Sequence, residues 1–171
     1  MMGVPVRDVL AANLTAMQAP TGPHGIAPEE MQKILAAADQ RAADAPSYAK
    51  ANALRLRGLI YLMRYSGLRI SDAVRIGPDD IGPDGTLPVL TKKSGTHVFC
   101  VLPDFVLAAL EKTPLASARH YFWSGNGKHG TEIAAKDWSE RLRVDVFEPA
   151  GIKGGHSHRF RHYSASRTIT R

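Results

Sequence analysis

The fold class of this chain is indicated most clearly by residues 86–102, which read Thr86-Leu-Pro-Val-Leu-Thr-Lys-Lys-Ser-Gly-Thr-His-Val-Phe-Cys-Val-Leu102. Two short apolar runs, Leu87–Leu90 and His97–Leu102, flank a polar segment that ends in a glycine. Runs of this length around a turn residue are typical of paired strands, so we predict an antiparallel hairpin here. Because proline cannot donate a backbone hydrogen bond, Pro88 indicates that its strand lies at an edge or is irregular.

The segments before this hairpin are predicted to be helical. Pro28 suits the first turn of a helix whose apolar residues recur at helical spacing, and Glu29 and Glu30 lie favourably near its positive end. A second, more apolar helix is expected over Ser47–Tyr65, with Gly67 ending it.

Shorter elements complete the prediction. We expect helices over Ser71–Ile76 and Phe105–Leu110, a third strand at His120–Trp123, and a helix that Thr131 caps. The apolar stripe of this last helix consists of Ala134, Trp138, Leu142 and Val146. A final helix should start near Ser157. The expected fold class is therefore α+β, a mainly helical domain with a small antiparallel sheet.

Composition narrows the functional classes. A length of 171 residues suits one domain, and a net charge of +6 favours a polyanionic partner, nucleic acid first. Cys100 is the single cysteine, which excludes an internal disulfide and a cysteine zinc site and fits a cytoplasmic protein. The sequence contains no secretion signal and no apolar run of membrane-spanning length, so no membrane partner is expected.

The sequence His158-Arg-Phe-Arg161 is the first candidate site. If Ser157 caps a helix, His158 and Arg161 lie three residues apart on one face. A guanidinium beside a titratable imidazole suits a phosphate that must be held and protonated.

Two further candidates precede it. Arg69 lies between two predicted helices, where it could face a phosphate, and Asp72 could orient it through a charge-assisted bond. Lys93 is at the hairpin turn beside Lys92, where it could reach DNA or protonate a leaving oxygen. Taken singly, each is more simply explained as a solvated surface charge.

The C-terminal segment is strongly basic, because no acidic residue follows Glu148. We predict DNA contacts from its cations and from the hairpin turn: Lys92, Lys153, Arg159 and Arg167. A metal site built from His156, His158 and His162 is the alternative, but it lacks a carboxylate or cysteine ligand and a recognised spacing.

Three motifs, taken in their order along the chain, resemble the catalytic domain of the tyrosine recombinases, the phage integrase family. They are Ser66-Gly-Leu-Arg69 followed by Asp72, Lys93 in a strand–turn–strand, and His158-x-x-Arg161-His162. The resemblance starts at residue 26 and continues to residue 171. One motif alone is weak, but three in order are specific.

The resemblance implies site-specific strand exchange on double-stranded DNA through a 3′-phosphotyrosyl intermediate. Arg69 and Arg161 would hold the non-bridging phosphate oxygens, Lys93 would protonate the leaving 5′-oxygen, and His158 would assist as acid, base or ligand. Asp72 and His162 would support them. No metal or other cofactor is implied, since two guanidinium groups supply the charge. Other recombinase subunits are the second implied partner, and the origin is bacterial or phage.

The C-terminal end of the chain departs from the family pattern. The family has a further Leu-Gly-His box and places its nucleophilic tyrosine a few dozen residues after the arginine, whereas ten residues follow Arg161 here. Tyr163 is too close to Arg161 on the same helix to attack the phosphate in line. We therefore expect residues 27–171 to form a catalytic domain that is incomplete at its C-terminus and inactive alone.

Residues 1–26, with a possible helix at Val6–Met17, are expected to be a linker or the remnant of a core-binding domain. Three alternatives stay open. The chain could be a DNA-binding or regulatory remnant of a mobile element, a subunit that receives its tyrosine from a partner chain, or a fragment without function.

Overall fold

The computed structural model describes residues 25–125 and 130–163, with side chains as far as Arg161. Its longer helices are α1 (Pro28–Asp44), α2 (Ser47–Ser66), α4 (Asp104–Glu111) and α5 (Thr131–Leu142), and α3 (Ile70–Ala73) is a single turn. Two strands, β1 (Thr86–Leu90) and β2 (His97–Val101), lie between α3 and α4. The predicted α+β class, mainly helical with a small antiparallel sheet, is confirmed.

Helices α1 and α2 pack together and supply much of the core. The predicted apolar face of α1 is confirmed, with Met31, Ile34 and Ala38 buried. Helix α2 ends where predicted, because Gly67 adopts a left-handed conformation (φ 68°) that a residue with a side chain rarely takes. This glycine turns the chain towards Arg69.

The hairpin has the predicted pairing, with Leu87 opposite Cys100 and Leu90 opposite His97. Leu87 and Val89 of β1 face the core, whereas Phe99 and Val101 of β2 are exposed. In the described part of the chain the sheet has two strands, so Pro88 lies in an edge strand as expected.

The third strand predicted at His120–Trp123 is wrong. Its backbone makes isolated bonds instead of a ladder: Tyr121 N–H donates to the Ile76 carbonyl at 3.1 Å, and the Trp138 indole N–H donates to the Phe122 carbonyl at 2.7 Å. The stretch therefore packs as an irregular segment that joins α3 to α5.

The C-terminal part contains α5, a π-helical turn (Arg143–Phe147) and a 3₁₀ helix (Ser157–Tyr163). Trp138, Leu142 and Val146 of the predicted stripe are buried, with Ala135 more buried than Ala134. The predicted cap of α5 is displaced by one residue, since Gly130 and not Thr131 precedes the helix. Helix α3 begins at Ile70, one residue before the predicted start, and ends at Ala73, before the predicted Ile76. The helix predicted at Val6–Met17 lies outside the described residues.

None of the helices within the described ranges is both long enough and apolar enough to cross a membrane.

Candidate functional site

Arg69 occupies the junction between α2 and α3. Its backbone is extended, and its carbonyl accepts the N–H groups of Asp72 at 3.0 Å and Ala73 at 2.8 Å, which starts the short helix. Leu68 beside it is 3% exposed and anchors the junction in the core. The Arg69 side chain is half-buried, and among the described residues it forms no ion pair.

Asp72 has a different partner from the one predicted. Instead of pairing with Arg69, its carboxylate, which is 2% exposed, accepts the backbone N–H of Lys92 at 3.0 Å. A peptide N–H at a turn has no ladder partner, so a nearby carboxylate stabilises it. This bond joins the lysine turn to α3, next to the Arg69 junction. The supporting role of Asp72 stays a prediction.

The turn between the strands is closed by its own residues. Gly95 N–H donates to the Thr91 carbonyl at 2.9 Å with φ 62°, and the Thr91 and Ser94 hydroxyl oxygens lie 2.6 Å apart. Lys93 is exposed, and within the described ranges its side chain forms no ion pair. Its ammonium group is therefore available to a ligand.

Lys92, the neighbouring lysine, is paired. Its ammonium lies 2.8 Å from a carboxylate oxygen of Glu132, in the first turn of α5. The hydrogen bond and the charge of Lys92 lower the pKa of Glu132. The contribution of Lys92 to DNA binding stays a prediction, and a phosphate would have to compete with Glu132 for it.

The 3₁₀ helix places His158 and Arg161 on one exposed face. In this helix type, residues i and i+3 eclipse one another, so the predicted alignment is closer than an α-helix would give. Ser157 and Phe160 form the buried face, at 7% and 0% exposure. The Phe160 ring packs 5.8 Å from the Phe147 ring, and the segment also contacts α2, the helix that leads to Arg69.

Arg159 does not face solvent as a DNA contact should. Its Nη2 donates to the Gly25 carbonyl at 2.8 Å and lies 2.7 Å from Glu30 Oε2, and its side chain is 14% exposed. In the structure Arg159 forms an internal ion pair, because Glu30 supplies the nearby carboxylate that a largely buried guanidinium needs. Its contribution to DNA binding stays a prediction, and a phosphate would have to compete with Glu30 for it.

The structure describes only some of the other predicted cations and histidines. Lys153 is exposed in the loop before the 3₁₀ helix. Arg167 and the His162 side chain lie outside what the structure describes. The rings of His156 and His158 are 6.0 Å apart, and the described residues contain no group of three or more side chains suited to a metal ion.

Glu30 and Glu132 are the site residues that the sequence interpretation missed. Burial raises the pKa of Glu30, but the Ala27 N–H bond and the Arg159 guanidinium outweigh it, so the net pKa is lowered. Glu30 accepts the N–H of Ala27, the residue before α1, which is one half of a capping box. The sequence does not signal it, because alanine cannot supply the other half. No comparable signal links Glu132 to Lys92, 40 residues away.

A cleft of about 410 Å³ adjoins the site on the side of Asp72. It combines two arginines with three aspartates and a histidine ring that is tilted against an indole: Arg75, Arg119, Asp72, Asp79, Asp80, His120 and Trp123. Burial is the main cause that lowers the pKa of His120. Because its acids outnumber its arginines, this cleft is less suited to a phosphate than the exposed cations beside it.

The sequence model described as the phage integrase family matches residues 25–171. No curated protein matches the chain. Among solved structures, the chain is similar to the XerH site-specific recombinase, crystallised with its difH substrate as a pre-cleavage complex, with a TM-score of 0.59 and 22% identity. The match covers 84% of this chain and 42% of that one, so the chain spans less than half of the recombinase. At this identity the likeness shows the fold.

Proposed function

Because the chain belongs to the phage integrase family, we propose that it takes part in site-specific DNA recombination and that residues 27–171 form its catalytic domain. One observation supports the proposal: contacts link the elements that bear the candidate residues. The Asp72 carboxylate bonds α3, which begins after Arg69, to the turn that carries Lys93. The 3₁₀ helix with His158 and Arg161 contacts α2, the helix that precedes Arg69. The ligand is double-stranded DNA.

The residue roles follow from their chemistry. Arg69 and Arg161 bind the non-bridging oxygens of the scissile phosphate, and their fixed guanidinium groups stabilise the charge that builds up in the transition state. Lys93, exposed at its turn, donates a proton to the departing 5′-oxygen. His158 acts as an acid or a base at the phosphate, or binds the phosphate as a ligand. These groups balance the charge without a metal ion.

The attacking tyrosine is not one of the four whose side chains the structure describes. Tyr61 and Tyr65 belong to a ring cluster with Phe105, and Tyr121 is 7% exposed in the core. Tyr48 lies at the start of α2, the end remote from Arg69. We propose that the chain holds the phosphate without supplying the nucleophile from these positions, and that other recombinase subunits are its partners.

DNA affinity as a function of salt tests the phosphate clamp. Arg69→Gln and Arg161→Gln should each weaken duplex binding and reduce the slope of log affinity against log salt by about one, because each removes one phosphate contact. Arg143→Gln is the matched control, since this exposed arginine already pairs with Glu140 and Glu148. Equal affinities and slopes for all three variants would contradict the clamp.

A nicked duplex that traps covalent intermediates tests the claim about the nucleophile. The chain should bind this DNA and form no covalent adduct through Tyr48, Tyr61, Tyr65 or Tyr121. An adduct on a denaturing gel that mass spectrometry of the DNA-linked peptide assigns to one of these four tyrosines would disprove the claim.

A further inference from the structure

Arg159 has an unusual position, because it lies inside the proposed phosphate-binding motif and yet faces away from solvent. It follows His158 and precedes Arg161 by two residues. Its guanidinium spans from the 3₁₀ helix to the N-terminal end of α1, where it meets Gly25 and Glu30. The contact joins residues 129 positions apart in the chain.

Glu30, which accepts the bond from Arg159, is itself held by a second bond. Glu30 Oε2 also accepts the Ala27 N–H at 2.9 Å, so one carboxylate oxygen ties the first turn of α1 to Arg159. Ile26, next to Gly25, is fully buried. The start of α1 therefore offers Arg159 a rigid anchor.

The three faces of the 3₁₀ helix have three different environments. Ser157 and Phe160 enter the core, His158 and Arg161 are exposed, and Arg159 pairs with Glu30 of α1. Core packing against Phe147 fixes one side of the helix. The Arg159–Glu30 pair fixes a second side and so restricts rotation about the helix axis, which is the motion that would redirect His158 and Arg161 together.

We propose that Arg159 is a positioning residue, which with Glu30 orients the His158–Arg161 face and couples it to the N-terminal end of α1. The inference rests on the proposed function, because the orientation matters for a phosphate bound at that face. It assigns to an acid, Glu30, a favourable part in binding a polyanion.

Hydrogen exchange of the free protein tests the positioning contact without DNA. In Glu30→Ala and Arg159→Met, the amides of residues 157–161 should exchange about tenfold faster or more, since a charge-assisted bond restrains them. Glu29→Ala is the matched control, because Glu29 is an exposed acid in the same helical turn without this contact. Unchanged exchange in the first two variants would overturn the proposal.

DNA affinity then distinguishes positioning from charge. Removing an acid normally strengthens DNA binding, and Glu29→Ala should do so slightly or leave it unchanged. Glu30→Ala should instead weaken binding several-fold, and the conservative Glu30→Gln should lose less because its amide oxygen still accepts both bonds. Glu30→Ala that binds as tightly as Glu29→Ala would refute the coupling.

The salt dependence of Arg159→Met separates the two roles of this arginine. A positioning residue lowers affinity with an unchanged slope, whereas a direct phosphate contact lowers the slope by about one. Arg161→Gln identifies a failure of the proposed function itself: if it leaves DNA affinity unchanged, the clamp is wrong, and hydrogen exchange alone decides on the Arg159–Glu30 contact.

Discussion

Replacing Asp72 with alanine should loosen the lysine turn selectively. The carboxylate is 2% exposed and accepts the Lys92 N–H at 3.0 Å across 20 residues of sequence. Its removal leaves that N–H without its acceptor, and a hydrogen bond to a charged group contributes about 1.5–3 kcal/mol. Exchange of the Lys92 amide should therefore accelerate by about ten- to a hundredfold, at about 1.4 kcal/mol for each factor of ten.

Amide-resolved hydrogen exchange by NMR measures this change, and urea denaturation gives the accompanying loss of stability. Asp72→Asn keeps an acceptor oxygen and should lose less than about 1 kcal/mol. Asp79→Ala, which removes an exposed acid from the same cleft, is the control. Lys92 exchange that stays the same in Asp72→Ala, or losses that are equal in the alanine and asparagine variants, would refute the reasoning.

Two further predictions concern packing and reactivity. Gly155→Ala places a methyl group 2.4 Å from Phe147 Cγ and should destabilise the fold by about 1–3 kcal/mol in urea denaturation, a cost that the Phe147→Ala background should remove. Burial raises the pKa of Cys100 from 9.0 to about 11, so its thiolate fraction at pH 8 falls by about a hundredfold. Iodoacetamide should therefore alkylate the folded chain far more slowly than the urea-unfolded chain, and equal rates would contradict the burial of the thiol.

Local patterns predicted the elements whose causes are local. Two short apolar runs around a turn with a glycine at position 95 indicated the hairpin, and Pro28 and Gly67 indicated a helix start and a helix end that the structure confirms. The strand predicted at His120–Trp123 was wrong because the apolar residues of this segment pack individually, without a neighbouring strand to pair with.

Local sequence patterns did not predict the partners of Asp72 and Arg159, because these partners lie far away in the sequence. Asp72 is three residues from Arg69, which suggested a local pair, but the acceptor is used by Lys92 of the hairpin. In the sequence, Arg159 is one of several cations in a basic segment, and no residue close to it in the sequence indicates that it pairs with Glu30. Charge and spacing indicate which residues are polar, whereas the tertiary fold decides which of them remain available to a ligand.

The three-sided 3₁₀ helix separates the requirements of folding from those of activity. Residues at 157 and 160 are held by the core, so selection for a stable protein acts on them, while 158 and 161 are exposed. A descendant that lost both exposed residues would still fold and accumulate. Abundance in the cell would therefore not report on the proposed phosphate clamp, and a mutational scan for solubility would pass over the two positions that we propose bind the phosphate.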